Sequence, residues 1–134
     1  VIAAYLAIWP AGDRAERTGS AAAALSVLRP YATAAYARTM VTGMQPYWQH
    51  HETARGHMSD HVLKVAVLAG RGGHRAAIVT DCQDASQHYL ASRTGRPVPG
   101  TRGPAQASLT ATLARANGSW RVAGITFTGT SCAN

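Results

Sequence analysis

The chain has 134 residues, 46% of them hydrophobic, and a formal charge of +7 from 13 basic and 6 acidic side chains. That length is expected to give one domain with enough apolar material for its own core. Twelve of the thirteen basic residues are arginine, scattered from Arg14 to Arg121. They form no basic run interleaved with aromatics, which argues against nucleic acid and leaves anionic surfaces such as those of a cell envelope.

Residues 2–9 are predicted to form a short helix, with Ile2, Tyr5, Ile8 and Trp9 at helical spacing and Pro10 and Gly12 as its end. Residues 13–19 are polar and read as a linker, which places Asp13 and Glu16 on the surface. Ser20 can cap a second helix whose apolar side runs through Leu25, Leu28, Ala32, Tyr36 and Met40. Pro30 should kink that segment or divide it in two, and Gly43 should close it. Residues 44–60, with Pro46-Tyr47-Trp48-Gln49-His50-His51, are expected to be a lid-like loop or a short helix.

From residue 61 the apolar period becomes two. Residues 61–68 are predicted as a strand with Leu63, Val65 and Val67 on one face. Gly70-Arg71-Gly72-Gly73 is the turn, residues 75–82 the next strand, and residues 87–92 a further short one. Glycines and prolines make residues 94–104 irregular. Residues 105–116 alternate, Asn117-Gly118 is a hairpin turn, and residues 119–129 return. Trp120 and Val122 share one parity, Ile125 and Phe127 the other. A bulge at Gly124 would keep all four on the core side and bend the sheet. The expectation is an α+β domain: helices over residues 1–43, residues 44–60 between, and a strongly curved antiparallel sheet over 61–132.

Cys82 ends a strand and Cys132 stands two residues before the last position. Such a pair reads as a staple and points to an oxidising compartment; two reduced, buried cysteines are the alternative. No C-x-x-C motif is present, and no histidine lies at zinc-finger spacing from either residue. The chain opens at Val1 without a basic n-region or a bilayer-spanning apolar run, as expected of a processed or trimmed sequence.

The opening Ala4-Tyr5 with Trp9, the segment Val79-Thr80-Asp81-Cys82-Gln83-Asp84, Tyr89, Arg102, the strand 107–113, Gly118-Ser119-Trp120-Arg121-Val122 and the ending Gly129-Thr130-Ser131-Cys132 carry a resemblance. The chain resembles the NTF2-like (cystatin-like α+β) superfamily, and within it small secreted proteins and lipoproteins of actinobacteria. The resemblance implies a cone of curved sheet with an open mouth, export, possible lipid anchoring through an upstream segment, and a Cys82–Cys132 bridge. It implies no particular reaction.

Enzymes of that superfamily set an Asp or an Asp–His pair inside the cone, where a carboxylate can act as a base. Asp81 and His61 are the candidates here, with turn-capping or an arginine partner as the structural explanation for Asp81. His50, His51, Glu52, His57 and His61 cluster in sequence, but the H-E-x-x-H pattern is absent and no metal site is expected. Trp120 and Phe127 read as core. Tyr47, Trp48, Tyr89 and Arg102 are the expected rim for a ligand or partner. The sequence therefore points to an exported, non-catalytic binding or assembly domain without a cofactor. Its expected partner is a protein, a second copy of the chain or a small apolar ligand at the cone mouth. The alternative is a small acid–base enzyme using Asp81 and a nearby histidine.

Overall fold

The computed structural model describes residues 1–70, 72 and 74–132. Three helices, α1 (Ile2–Arg17), α2 (Ala21–Leu28) and α3 (Ala34–Gln49), precede six strands: β1 (Thr53–Gly56), β2 (Val62–Ala69), β3 (Arg75–Gln83), β4 (His88–Ala91), β5 (Ala107–Ala116) and β6 (Ser119–Gly129). The architecture is α+β, with the helices packed on an antiparallel four-stranded sheet of order β2-β3-β5-β6 and on a two-stranded sheet of β1 and β4. Of the predicted Gly70-Arg71-Gly72-Gly73 turn, Arg71 and Gly73 lie outside the described residues.

α1 does not stop at Pro10. Its buried stripe Tyr5, Ile8, Ala11 and Ala15 continues past the proline at helical spacing. Tyr5 and Ile8 lie before the proline; beyond it the helix buries Ala11, Ala15 and Glu16, and Glu16 is bonded by the Trp48 indole and the Ala54 N–H, against the roughly 3 kcal/mol cost of an interior proline. Pro10 lies on the exposed side of the helix, where the Leu6 carbonyl it leaves unpaired meets water. The polar linker thus shrinks to residues 18–20, and Glu16 is buried in the last turn of a helix.

Ser20 caps α2 as expected, its Oγ accepting from the Ala23 N–H at 3.5 Å. The helix ends before Pro30. Thr33 then caps α3, accepting from the Tyr36 N–H at 3.3 Å. Gly43 does not close α3, because the stripe Ala37, Val41 and Met44 carries on to the half-buried Trp48. Residues 44–49 are therefore helix, and the following four-residue strand β1 was not visible as a pattern.

Three register shifts shape the large sheet, one of them leaving Thr128 as the extra residue between the Ser108–Gly129 and Leu109–Phe127 pairs. Val62 pairs with Asp81 and Lys64 with Thr80, so Leu63 is the extra residue. Val62 and Val65 face the helices while Leu63 turns out and is 46% exposed, which corrects the expectation that Leu63 shares one face with Val65 and Val67. In β6, Thr112 pairs with Gly124 but Leu113 with Val122, so Ala123 bulges beside the expected glycine. The parity switch does bring Trp120, Val122, Ile125 and Phe127 to one face. Phe127 nevertheless is not core: it is 53% exposed, because β6 is an edge strand and its end lies beyond the helices' cover.

The two sheets are consecutive parts of one bent ribbon. Between them, Ser59 and Asp84 exchange backbone hydrogen bonds at 2.9 Å, and His61 and Cys82 exchange them at 3.0–3.1 Å. The helix-facing side of the sheet is filled: Tyr5, Ile8 and Leu28 seal against Val79, Leu113 and Val122, all nearly inaccessible. A disulfide joins Cys82 to Cys132 across a Cα–Cα distance of 5.8 Å, tying the chain beyond β6 to the end of β3. Among the described residues no helix is long and apolar enough to cross a membrane.

Candidate functional site

Asp81 sits where the ribbon bends. It is 0% exposed. Its Oδ2 accepts from the Tyr5 hydroxyl at 2.6 Å and its Oδ1 from the His61 backbone N–H at 2.8 Å. Asp60 adjoins it and accepts from Gln83 Nε2 at 2.9 Å. Burial raises the Asp60 pKa, the Gln83 bond lowers it, and the Asp81 carboxyl raises it again. Burial, with Asp81 behind it, also raises the Tyr5 phenol far above its ordinary value, so Tyr5 remains a proton donor throughout the working range. This cluster ties α1 to the bend. His61 contributes its backbone to Asp81 while its side chain is exposed, and neither residue lines a groove described below.

The four rim residues do not converge. Arg102 stacks on Tyr89 at 5.0 Å and donates to the Ser86 carbonyl at 3.3 Å. Asp84 caps the same turn, accepting from the Ser86 N–H at 2.9 Å, and those bonds hold its carboxyl below the usual range. Tyr47 and Trp48, adjacent on α3, line two different grooves on either side of β1. The sequence neighbours are separated because 100° of helical rotation lies between them.

The groove beneath Tyr47 has the composition of a ligand site. It is an open groove of about 350 Å³ between α1, α3, β1 and β4, within the size range of small-molecule sites. Its apolar lining includes Ile8, Trp9 and all three methionines of the chain, Met40, Met44 and Met58. Methionine thioethers are deformable and adapt to irregular apolar shapes. Two carboxyl groups and an imidazole, from Asp13, Glu16 and His88, enter this lining. His88 Nε2 lies 3.7 Å from Asp13 Oδ1, is buried, and has no hydrogen-bond partner.

Glu16 is only 5% exposed, and its Oε2 accepts from the Ala54 N–H at 3.2 Å. Burial pushes its carboxyl up, while that N–H and the nearby Arg17 and Arg55 charges pull it back. Its backbone carbonyl accepts from Trp48 Nε1 at 2.7 Å, fixing the indole. Trp9 stacks edge-on against Tyr5 at 5.9 Å, linking this groove to the Asp81 cluster.

Sequence reasoning missed Asp13, Glu16, His88 and the methionines as a set. A signal was present: Ile8, Gly12 and Glu16, and Met40, Gly43, Met44 and Tyr47, each recur at helical spacing. Ending α1 at Pro10 and α3 at Gly43 hid both stripes. Glycines at 12 and 43 leave the groove open; a Cβ at Gly12 would touch Met40 at 3.5 Å, whereas one at Gly43 meets nothing within 4 Å.

Among the described residues, no group of three or more His, Cys, Asp or Glu side chains is placed to hold a metal ion. No protein-family model matches the chain. No curated protein matches it either.

Proposed function

We propose that this chain is an exported, non-catalytic binding domain for a small, mainly apolar ligand held in the methionine groove. The observation that carries the reading is the 350 Å³ groove itself, apolar in most of its lining and entered by a few polar groups that could orient a ligand. The Cys82–Cys132 bridge supports export, since such bonds persist in oxidising compartments. The order of helices then antiparallel strands, with a bulge in the last strand, supports the NTF2-like relation. The ligand site in this reading lies between the helices and the β1–β4 ribbon rather than over the filled face of the large sheet.

The test is titration with the neutral fluorescent probe N-phenyl-1-naphthylamine. Wild type should give a saturable rise in emission. Gly43→Leu should abolish it by filling the groove without loss of folding, because a helix-interior glycine is replaced by a better helix former. Equal binding by both proteins would reject the site.

One observation favours acid–base chemistry as the second reading. The Asp13–His88 pair lies in that same apolar lining, where a histidine can exchange protons near neutral pH. Should a substrate be found, Asp13→Asn ought to lower kcat with folding intact; unchanged turnover would remove Asp13 from that role.

A further inference from the structure

The groove on the Trp48 side of β1 differs in kind from the methionine groove. It is an open depression of about 890 Å³, lined by Arg17 from the end of α1, Arg55 from β1 and Arg93 from the segment after β4. Three guanidiniums therefore reach one depression from three separate elements. Among the described residues, none of the three has a carboxylate within 4 Å, the single ion pair being His88–Asp13. The groove's acids are Glu16 and Glu52. Glu16 is buried, which raises its carboxyl pKa, and its Oε2 is already used by the Ala54 N–H. Arg17 lies in the last turn of α1, where the helix's terminal carbonyls also attract it. Glu52 offsets at most one of the three guanidiniums, and among the described residues none of the three has a carboxylate at ion-pair distance, so the groove keeps an excess of positive charge that points to an anion as ligand.

The remaining lining narrows the class. Trp48 presents an indole whose N–H is tied back to the Glu16 carbonyl, so the ring is held in place. Ser92 and Thr94 are joined through their hydroxyls at 3.0 Å at the Arg93 side. A fixed aromatic surface, paired hydroxyls and free guanidiniums match a sugar ring, its hydroxyls and its acid group. The volume has room for more than one ring. We propose that this groove binds short acidic saccharides, with their carboxylates on Arg55 and Arg93 and a ring against Trp48. The site lies on the other side of β1 from the methionine groove, shares only Glu16 with its lining, and does not depend on a ligand there.

Calorimetry on the intact, oxidised chain at low and moderate salt tests this with three probes: trigalacturonate, neutral maltotriose and inorganic tripolyphosphate. Trigalacturonate should bind with an affinity that falls as salt rises, and maltotriose should bind at least tenfold more weakly. The doubly substituted Arg55→Gln, Arg93→Gln protein should lose at least tenfold toward trigalacturonate while keeping the wild-type circular dichroism and urea midpoint. Both side chains are exposed, so folding should be retained; Arg38→Gln on the outside of α3 serves as the charge control and should retain wild-type affinity. Absence of trigalacturonate binding, or equal loss in the control, would overturn the site. Tripolyphosphate binding as tight as trigalacturonate would overturn the saccharide assignment and leave a general anion groove.

Discussion

Tyr5→Phe removes one oxygen from the centre of the protein and little else. The phenyl ring can keep its edge-on contact with Trp9 and its place in the core. What is lost is the 2.6 Å hydrogen bond to Asp81, formed across 76 residues of sequence between two groups with no solvent access. A hydrogen bond to a buried charged group contributes about 1.5–3 kcal/mol. Asp81 would retain the His61 N–H but face Asp60 with one donor fewer. The expected loss is therefore about 2 kcal/mol, or roughly 8 °C in Tm for a domain of this size. Urea unfolding followed by tryptophan fluorescence should show a lower midpoint with an unchanged slope. Repeating the substitution in an Asp81→Asn background should cost only about 1 kcal/mol, because the amide oxygen is a neutral acceptor. A Tyr5→Phe cost below about 0.5 kcal/mol, or the same cost in both backgrounds, would refute the view that this bond anchors α1 to the bend.

Three further outcomes follow from the same structure. Replacing both Cys82 and Cys132 by serine frees a loop spanning 50 residues of sequence separation, which should cost about 4 kcal/mol by chain entropy; a urea midpoint that does not respond to reduction of wild type would contradict it. Asp60 has a raised pKa in the folded state, so folding takes up protons and stability should fall as pH rises from the ordinary carboxylate range through the folded pKa. Asp60→Asn should then be more stable than wild type at neutral pH and lose that advantage near pH 4 and below (~the unfolded aspartate pKa); a pH-independent difference in unfolding free energy would argue against it. Gly56 has φ +82° and any Cβ there would run into the Gln87 carbonyl, so Gly56→Ala should cost at least ~1–3 kcal/mol, where an unstrained replacement would stabilise by ~0.4–1 kcal/mol, and should loosen the β1–β4 pair, seen as faster amide exchange at Ala54 and Leu90.

Much of the scaffold is written in local pattern. Period-two alternation marks the strands from residue 61 onward, Asn117-Gly118 marks the last hairpin, and the parity change around Gly124 marks the bulge. Ser20 and Pro30 locate the start and finish of α2. These features depend on backbone geometry within a few residues, and sequence holds them directly. The signals that misled are those where local preference and burial disagree. Pro10 and Gly43 argue for helix ends by propensity, yet the apolar stripes crossing them are buried against other elements, and that burial outweighs the local cost. Leu63 follows perfect alternation, but a bulge opposite Thr80 and Asp81 turns it to solvent.

The candidate site shows the same division. Tyr47 and Trp48 were legible as aromatic residues in an unusual segment, and Cys82 with Cys132 as a pair. Which groove each aromatic lines was settled only by the extension of α3 and by the short strand β1 passing between them. The company kept by Glu16, Asp13 and His88 was likewise a tertiary matter, since His88 lies more than seventy residues from the two acids in sequence. Sequence by itself determined the α+β class, the strands from residue 61 onward, the bulged last hairpin and the cysteine pair, because each rests on local period or on residue chemistry. Tertiary structure alone decided that Asp81 is sealed under Tyr5, that the large sheet's inner face is filled, and that open space lies instead between α1, α3 and the β1–β4 ribbon. Those outcomes depend on how elements distant in the chain cover one another, which no short window of residues records.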